Sequence, residues 1–271
     1  TSKAGIKAVS EHLQRVGLDG TVEPTPVHPN MYRVRYKING EPLVSILIPS
    51  CDHIDDLDKC ITSIENLSTY RNFEIIVIEN NSCAETLEYY KTLEKYGNVK
   101  VVVYKTDAFN YSAINNFGAQ FAKGEYFLLL NNDIEVISPS WIEEMLMFAQ
   151  RGDVGAVGAK LYYPDDTVQH AGVILGHGGI AGHSGLHEAR TSAGYFGRCA
   201  IQQNLTAVTA ACMMIPARVW KEIGGLDEKF AVAFNDIDMC MRIRKAGYLI
   251  CFTPYAELYH YESKSRGSDD I

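Results

Sequence analysis

The chain has 271 residues, 46% of them hydrophobic and 21% charged, with a formal net charge of −8. That length fits one large domain or two small ones, and the apolar fraction belongs to a globular protein rather than a disordered one. The acidic balance speaks against a broad nucleic-acid-binding surface, which needs a basic face.

Residues 3–18 read as an amphipathic helix, because Ile6, Val9, Leu13 and Val16 recur at spacings of three and four. Gly17 and Gly20 close it, and Pro24, Pro26 and Pro29 follow. Residues 32–36 alternate like a short exposed strand, and Asn39-Gly40 marks a turn. Residues 1–41 are therefore an N-terminal helix and lead-in, and 42–271 the main domain.

From residue 42 strands and helices alternate. Strands are predicted at 43–48, 73–78, 99–104 and 126–130; the runs are largely unbroken apolar, as parallel strands covered on both faces are. Helices are predicted at 55–67, 84–96 and 112–122, the last after an Asn-Tyr-Ser cap signal. This rhythm predicts an α/β fold with a mainly parallel, Rossmann-like sheet and helices on both faces. The second half is less regular. It holds a helix at 141–149, a strand at 154–160, and a Gly- and His-rich loop or irregular β stretch at 172–194. An apolar strand-like run at 207–215, helices at 217–223 and 237–246, and late strands at 249–252 and 256–259 complete it.

The seven cysteines (51, 60, 83, 199, 212, 240 and 251) form no Cys-x-x-Cys pair, so neither a zinc ribbon nor a thioredoxin-type motif is expected. Several lie in apolar runs, as buried free thiols of a reducing compartment do. No apolar run approaches the roughly 20 residues of a membrane span, and no signal-peptide pattern opens the chain. The chain begins at Thr1, as a piece of a longer protein would, or one whose tag has been removed.

Ligands of open α/β sheets bind at the carboxyl ends of the strands. Each of the first four strands of the main domain is followed there by polar groups that include an acid: Pro49-Ser50-Cys51-Asp52, Glu79-Asn80-Asn81-Ser82, Asp107 within 106–110, and Asn131-Asn132-Asp133. No Gly-x-Gly-x-x-Gly or Gly-x-x-x-x-Gly-Lys signature is present. A diphosphate bound at this edge therefore calls for a divalent metal, which bridges its oxygens. Asp133 is placed for that role, or for capping the next turn. Asp236 and Asp238 open a predicted helix and cannot face the same way. One can meet a cleft as a general base for a hydroxyl, while the other caps the helix or pairs with Arg242 at i+4. His260 is either a metal ligand or a packed ring.

Five segments resemble glycosyltransferase family 2, which has the GT-A fold, in order and spacing over about residues 42–262. They are 43–49 (Leu-Val-Ser-Ile-Leu-Ile-Pro), 73–82 (Phe-Glu-Ile-Ile-Val-Ile-Glu-Asn-Asn-Ser), 126–133 (Tyr-Phe-Leu-Leu-Leu-Asn-Asn-Asp), 224–230 (Gly-Gly-Leu-Asp-Glu-Lys-Phe) and 235–238 (Asn-Asp-Ile-Asp). The look is nearest to bacterial transferases that build rhamnose-rich or other surface polysaccharides, which often carry several catalytic domains in one chain. The resemblance implies inverting transfer from a UDP- or dTDP-linked sugar to a hydroxyl of a glycan or lipid-linked acceptor. It makes 42–135 the nucleotide-binding half and 136–271 the acceptor-side half. Pro49, Ser50, Glu79, Asp107, Asn115 (or Asn116) and Asn132 would line the nucleotide pocket. Asp133, the last position of the family's DxD motif, would bind Mn²⁺ or Mg²⁺, and His260 would complete that site. Asp236 would be the general base, and Trp220 and Asp238 would shape the acceptor side. Such an enzyme would sit in the cytoplasm, peripheral to the inner face of the membrane, with no membrane span in this chain and no nucleic-acid partner.

Three positions depart from the family pattern. The usual Asp-Asp-Gly-Ser is Glu79-Asn80-Asn81-Ser82, the first acid of DxD is Asn131, and the acid before the base is Asn235. The Asn131 change lowers the charge of the metal site. Two other readings stand beside this one. A sugar-nucleotide nucleotidyltransferase needs a Gly- and Arg-rich loop where Pro49-Ser50-Cys51-Asp52-His53 stands. A non-catalytic sugar-nucleotide or glycan-binding module of a larger synthase is favoured by Asn131 and Asn235 and opposed by Asp133, Asp236 and His260. His170, His177, His183 and His187 lie within 18 positions but match no zinc signature; an acceptor-binding loop is the expected role.

Overall fold

The computed structural model describes residues 2–27, 30–106 and 108–262. Helix α1 (Ser2–Arg15) leads into strands β1 (Gly20–Pro24) and β2 (Tyr32–Tyr36), which pair antiparallel. The Pro-rich segment predicts no strand at β1. Its pairing with β2, rather than its own propensity, makes it one. Next come β3 (Val44–Ser50), α2 (Ile54–Leu67), β4 (Phe73–Glu79), α3 (Ala84–Thr92), β5 (Val99–Val103), α4 (Tyr111–Ala119) and β6 (Tyr126–Leu130), alternating as the sequence predicts. The second half runs through β7 (Ile134–Val136), α5 (Trp141–Ala149), β8 (Val154–Tyr162), β9 (Val168–His170), β10 (Val173–Leu175) and β11 (Ala181–His183). It ends with β12 (Gln203–Leu205), β13 (Cys212–Pro216), α6 (Ala217–Ile223), α7 (Asn235–Lys245) and β14 (Leu249–His260).

Among the described residues one 10-stranded sheet follows the order β12-β14-β8-β13-β6-β3-β4-β5, with β7 on β14 and β9 on β8. Strands β6, β3, β4 and β5 are all parallel. Strand β13 joins them antiparallel to both β6 and β8, and β8 runs parallel to β14. Successive strand residues face opposite sides. Val44, Ile46 and Ile48 therefore pack with Leu57 of α2, Tyr90 of α3 and Trp141 of α5. Leu47, Ile76 and Ile78 pack with Ile114 of α4, Val219 of α6 and Met239 of α7. Cover on both faces is the reason the central strands carry so few polar residues.

The two predicted late strands are one. A register shift between Phe252 and Glu257 along the β14–β8 ladder absorbs Thr253-Pro254-Tyr255, the break in the apolar pattern. Within the Gly- and His-rich stretch, β10 and β11 form an antiparallel hairpin. Five cysteines are buried as expected, but Cys51 and Cys83 are exposed.

The N-terminal hairpin is tied to the main domain. Arg33 Nη2 donates to Glu144 Oε1 at 2.5 Å, and its guanidinium lies 3.7 Å over the Tyr255 ring. Tyr36 meets Phe148 edge-on, with ring centroids 5.3 Å apart.

Candidate active site

The carboxyl ends of β3, β4 and β6 meet the end of β14 around two adjoining cavities. The larger, about 560 Å³, is lined by the loop after β3 (Pro49 to His53), Asn80, Phe109 and Asn131 to Asp133. The smaller, about 380 Å³, is lined by Asp236, Ile237, Thr209, Ala210, Gln169 and His183. Tyr111, Asn131, Val232, His260 and Glu262 border both.

On the larger side the loop after β3 is held in an unusual shape. Asp52 and His53 both have left-handed backbones, with φ of 55° and 52°, a conformation that non-glycine residues keep only under surrounding constraint. The constraint is visible. Asp52 Oδ1 accepts from the Cys83 backbone N at 2.8 Å and from Thr86 Oγ1 at 3.1 Å. The Asp52 N–H donates to Ser82 Oγ at 3.1 Å. The Cys83 backbone bond is the main reason the Asp52 carboxyl is held below its usual range. These bonds clamp the loops after β3 and β4 together at the cavity mouth.

The seam between the cavities is built around His260. Its Nε2 lies 3.2 Å from Asp133 Oδ1 and 3.1 Å from Asn131 Nδ2. Its Nδ1 lies 2.7 Å from Gln169 Oε1. Asp133 comes from the turn after β6 and His260 from the last residue of β14, and the antiparallel β7–β14 pairing of Ile134 with His260 brings them together. The carboxylate oxygen suits Mn²⁺ or Mg²⁺, and a neutral imidazole nitrogen is a common metal ligand. Among the described residues no group of three or more His, Cys, Asp or Glu could hold a metal ion. The same finding leaves the His-rich stretch without a metal cluster. His170 and His183 instead pack edge to face, with ring centroids 4.8 Å apart, and His187 stacks on Tyr163.

Asp236 sits in the first turn of α7 and lines the smaller cavity. Phe234, at the helix N-cap, has φ 61° and turns the chain into the helix. Asp236 Oδ1 accepts from the Ile237 N–H at 2.8 Å and Oδ2 from the Ala210 N–H at 3.3 Å. The carbonyl of Ala210 accepts from the Tyr111 hydroxyl at 3.1 Å, so one backbone unit braces residues of both cavities.

Of the sequence-predicted residues, Pro49, Ser50, Asn132, Asp133 and His260 border the larger cavity and Asp236 the smaller. Four others are placed elsewhere. Glu79 is buried and turns its carboxylate to the Ser82 N–H at 2.7 Å, shaping the loop rather than lining the cavity. Asn115 is fully buried on α4 and donates to the Tyr111 carbonyl. Trp220 belongs to the core, edge-on to Phe127 at 5.8 Å. Asp238 is bound by Arg242 Nε at 2.7 Å, while Arg242 Nη1 holds the carbonyls of Ile223 and Gly225. Asn116 ties α4 to the 224–228 turn through both the N–H and the carbonyl of Leu226. Asp107 lies outside the described residues. Sequence reasoning missed Tyr111, Gln169 and Glu262, which line the cavities. Gln169 carried no signal beyond lying next to His170.

A parallel-centred α/β sheet, with an acid after β6 facing a late histidine, defines a GT-A-type fold. The family model described as Glycosyl transferase family 2 matches residues 45–224. The chain belongs to glycosyltransferase family 2. It is 47% identical over 272 residues to an uncharacterized protein, y4gI, of Sinorhizobium fredii, covering 99% of this chain and 30% of that protein. It is 41% identical over 273 residues to the O-antigen biosynthesis protein RfbC of Myxococcus xanthus, covering 100% of this chain and 21% of that protein. The chain thus spans less than a third of the length of these two relatives. Among solved structures, the mannosyltransferase PcManGT from Pyrobaculum calidifontis, in complex with GDP-Man and Mn²⁺, superposes with a TM-score of 0.62. That match is at 12% identity and covers 98% of this chain and 67% of that one. GalNAc-T7 with UDP, GalNAc and Mn²⁺ gives 0.67 at 15% identity, covering 89% and 47%. Among the described residues no helix is long and apolar enough to cross a membrane.

Proposed function

We propose that this chain is the catalytic unit of an inverting glycosyltransferase that moves a sugar from a nucleotide diphosphate to an acceptor hydroxyl in bacterial polysaccharide synthesis. The observation that carries the reading is the placement of the Asp133–His260 pair at the seam of two cavities, with the Asp236 carboxylate on the far side of it. The larger cavity takes the nucleotide and the smaller the acceptor. Asp133 and His260 would hold Mn²⁺ or Mg²⁺, and such an ion, when bound, neutralises charge on the diphosphate. Asp236 takes the proton from the acceptor hydroxyl as that oxygen attacks the anomeric carbon. The bond from that carbon to the diphosphate oxygen breaks in the same displacement, and attack from the opposite face inverts the anomeric centre. Tyr111 and the Ala210 backbone hold the Asp236 side of the acceptor cavity in shape.

Two solved structures of this fold hold GDP-Man or UDP together with Mn²⁺, which supports a nucleotide-diphosphate donor and a divalent ion here. Similarity to an O-antigen biosynthesis protein supports a glycan or lipid-linked acceptor, and we propose a UDP- or dTDP-linked donor. Seven free cysteines suit a reducing compartment, and we place the enzyme in the cytoplasm, peripheral to the inner face of the membrane. A thermal-shift screen of nucleoside diphosphates with and without Mn²⁺ tests the reading, because a ligand of the native state raises its melting temperature. A metal-dependent rise for one nucleotide is expected. A folded protein that responds to none of them overturns it.

A further inference from the structure

We infer that Gln169 is a positioning residue that fixes the tautomer of His260 and so leaves its Nε2 lone pair available to a cation; the inference rests on His260 being the metal ligand proposed above. Gln169 is buried on β9. Its amide nitrogen donates to Glu262 Oε2 at 2.9 Å and to the His260 backbone carbonyl at 3.3 Å. Both partners are oxygens, and a backbone carbonyl only accepts. The amide nitrogen is thereby assigned to that side, and the amide oxygen must face His260 Nδ1, 2.7 Å away. An amide oxygen cannot donate, so Nδ1 carries the hydrogen and Nε2 of the neutral ring has none.

The other side of the ring shows why this matters. Nε2 lies 3.2 Å from Asp133 Oδ1 and 3.1 Å from the Asn131 amide nitrogen, which can donate to it only when it carries no hydrogen. A carboxylate there would itself draw the hydrogen onto Nε2 and leave an N–H···O bond where a metal should bind. Gln169 opposes that by claiming the hydrogen for Nδ1. Groups that hydrogen-bond the far nitrogen of a ligating histidine set both its tautomer and its orientation. Gln169 also acts through its backbone. Its carbonyl lies 2.9 Å from His183 Nδ1, so His183 too presents its Nδ1–H to a carbonyl and keeps Nε2 as an acceptor at the acceptor cavity it lines.

The test reads the ring directly. Two-bond ¹H–¹⁵N correlation of His260, at a pH where the ring is neutral, should show the Nδ1–H tautomer in the parent protein. In Gln169→Leu it should shift to Nε2–H, with Mn²⁺ affinity in the presence of excess UDP falling about 10- to 100-fold. The double exchange Gln169→Glu with Glu262→Gln keeps an acceptor on Nδ1 and a donor behind it, and should restore both readouts. This exchange also guards against a fold defect in the leucine variant. Retention of Nδ1–H in Gln169→Leu overturns the inference, as does a double exchange that leaves Nε2–H in place. If His260→Ala binds Mn²⁺ as the parent does, the metal reading fails instead, whatever the tautomer data show.

Discussion

Asp236 and Asp238 stand two positions apart on one helix and are held by different partners: backbone N–H groups bind Asp236 at the edge of a cavity, and the Arg242 guanidinium binds Asp238 at 2.7 Å. Asp236→Asn should therefore keep its fold and its nucleotide binding while transfer falls by about 10²- to 10⁴-fold, the usual worth of a general base. Asp238→Asn should keep transfer and lose about 1–2 kcal/mol of stability, since it weakens a charge-assisted bond to the arginine that anchors α7. Rates of nucleoside diphosphate release and urea midpoints of both variants check this. Parental transfer by Asp236→Asn would remove the base assignment.

At the seam, Asn131 stands where a second acid would add charge, and its amide approaches the His260 nitrogen that a metal would use. Asp133→Ala should reduce Mn²⁺ affinity in the presence of UDP by more than about 100-fold, beyond the usual effect of a supporting group. Asn131→Asp should raise it severalfold, because ligand charge tightens hard-cation sites. Calorimetric titration of both variants decides.

His170 is fully buried, and burial, then the neighbouring His183 and His260, pushes its imidazole well below the usual range. The folded protein therefore keeps this ring neutral where the unfolded chain protonates it. Its contribution is present above about pH 6.5 and is lost as the pH falls below that value, by up to about 1.4 kcal/mol per unit. Melting temperature against pH in the parent and in His170→Leu should show a shallower acid slope in the variant.

Arg33 and Glu144 form an ion pair with Glu144 almost wholly buried. Burial raises the Glu144 carboxyl, and Arg33 is the main force opposing that rise. Arg33→Met strands the carboxylate with Arg35, 3.7 Å away, as its remaining partner. A loss of about 3 kcal/mol is expected by urea unfolding. A loss below about 0.5 kcal/mol, the range of ordinary surface changes, would mean that the Arg33–Glu144 pair does not hold the N-terminal hairpin to the main domain.

The sequence exposes the repeating part of the fold because burial on both faces writes apolar runs, and the ends of β6, α5 and α6 fall where those runs predict. It hides β1 and β7, which are short and exist through their partners β2 and β14. The same contrast holds at the site. Asp133 and His260 are visible because they follow apolar strands, and Asp236 because it opens a predicted helix. Glu79, Asn115 and Trp220 are in the right segments, but their side chains turn inward, and a one-residue change of direction in a strand or helix carries no mark in the sequence. Gln169 becomes meaningful only when β9 pairs with β8 and brings it beside the end of β14.

Strand β14 is gripped by β12 and β8 near its start and by β8 and β7 near its end, and it stops at His260. A histidine at the tip of such a rod loses its freedom when the protein folds, not when a ligand arrives, so little ordering remains to oppose binding. The loops after β3 and β4 carry no such rod. If the larger cavity takes the nucleotide as proposed, residue changes there would retune which base is accepted while the end of the site at His260 stays where the strand puts it, a division that would let specificity drift without disturbing the chemistry.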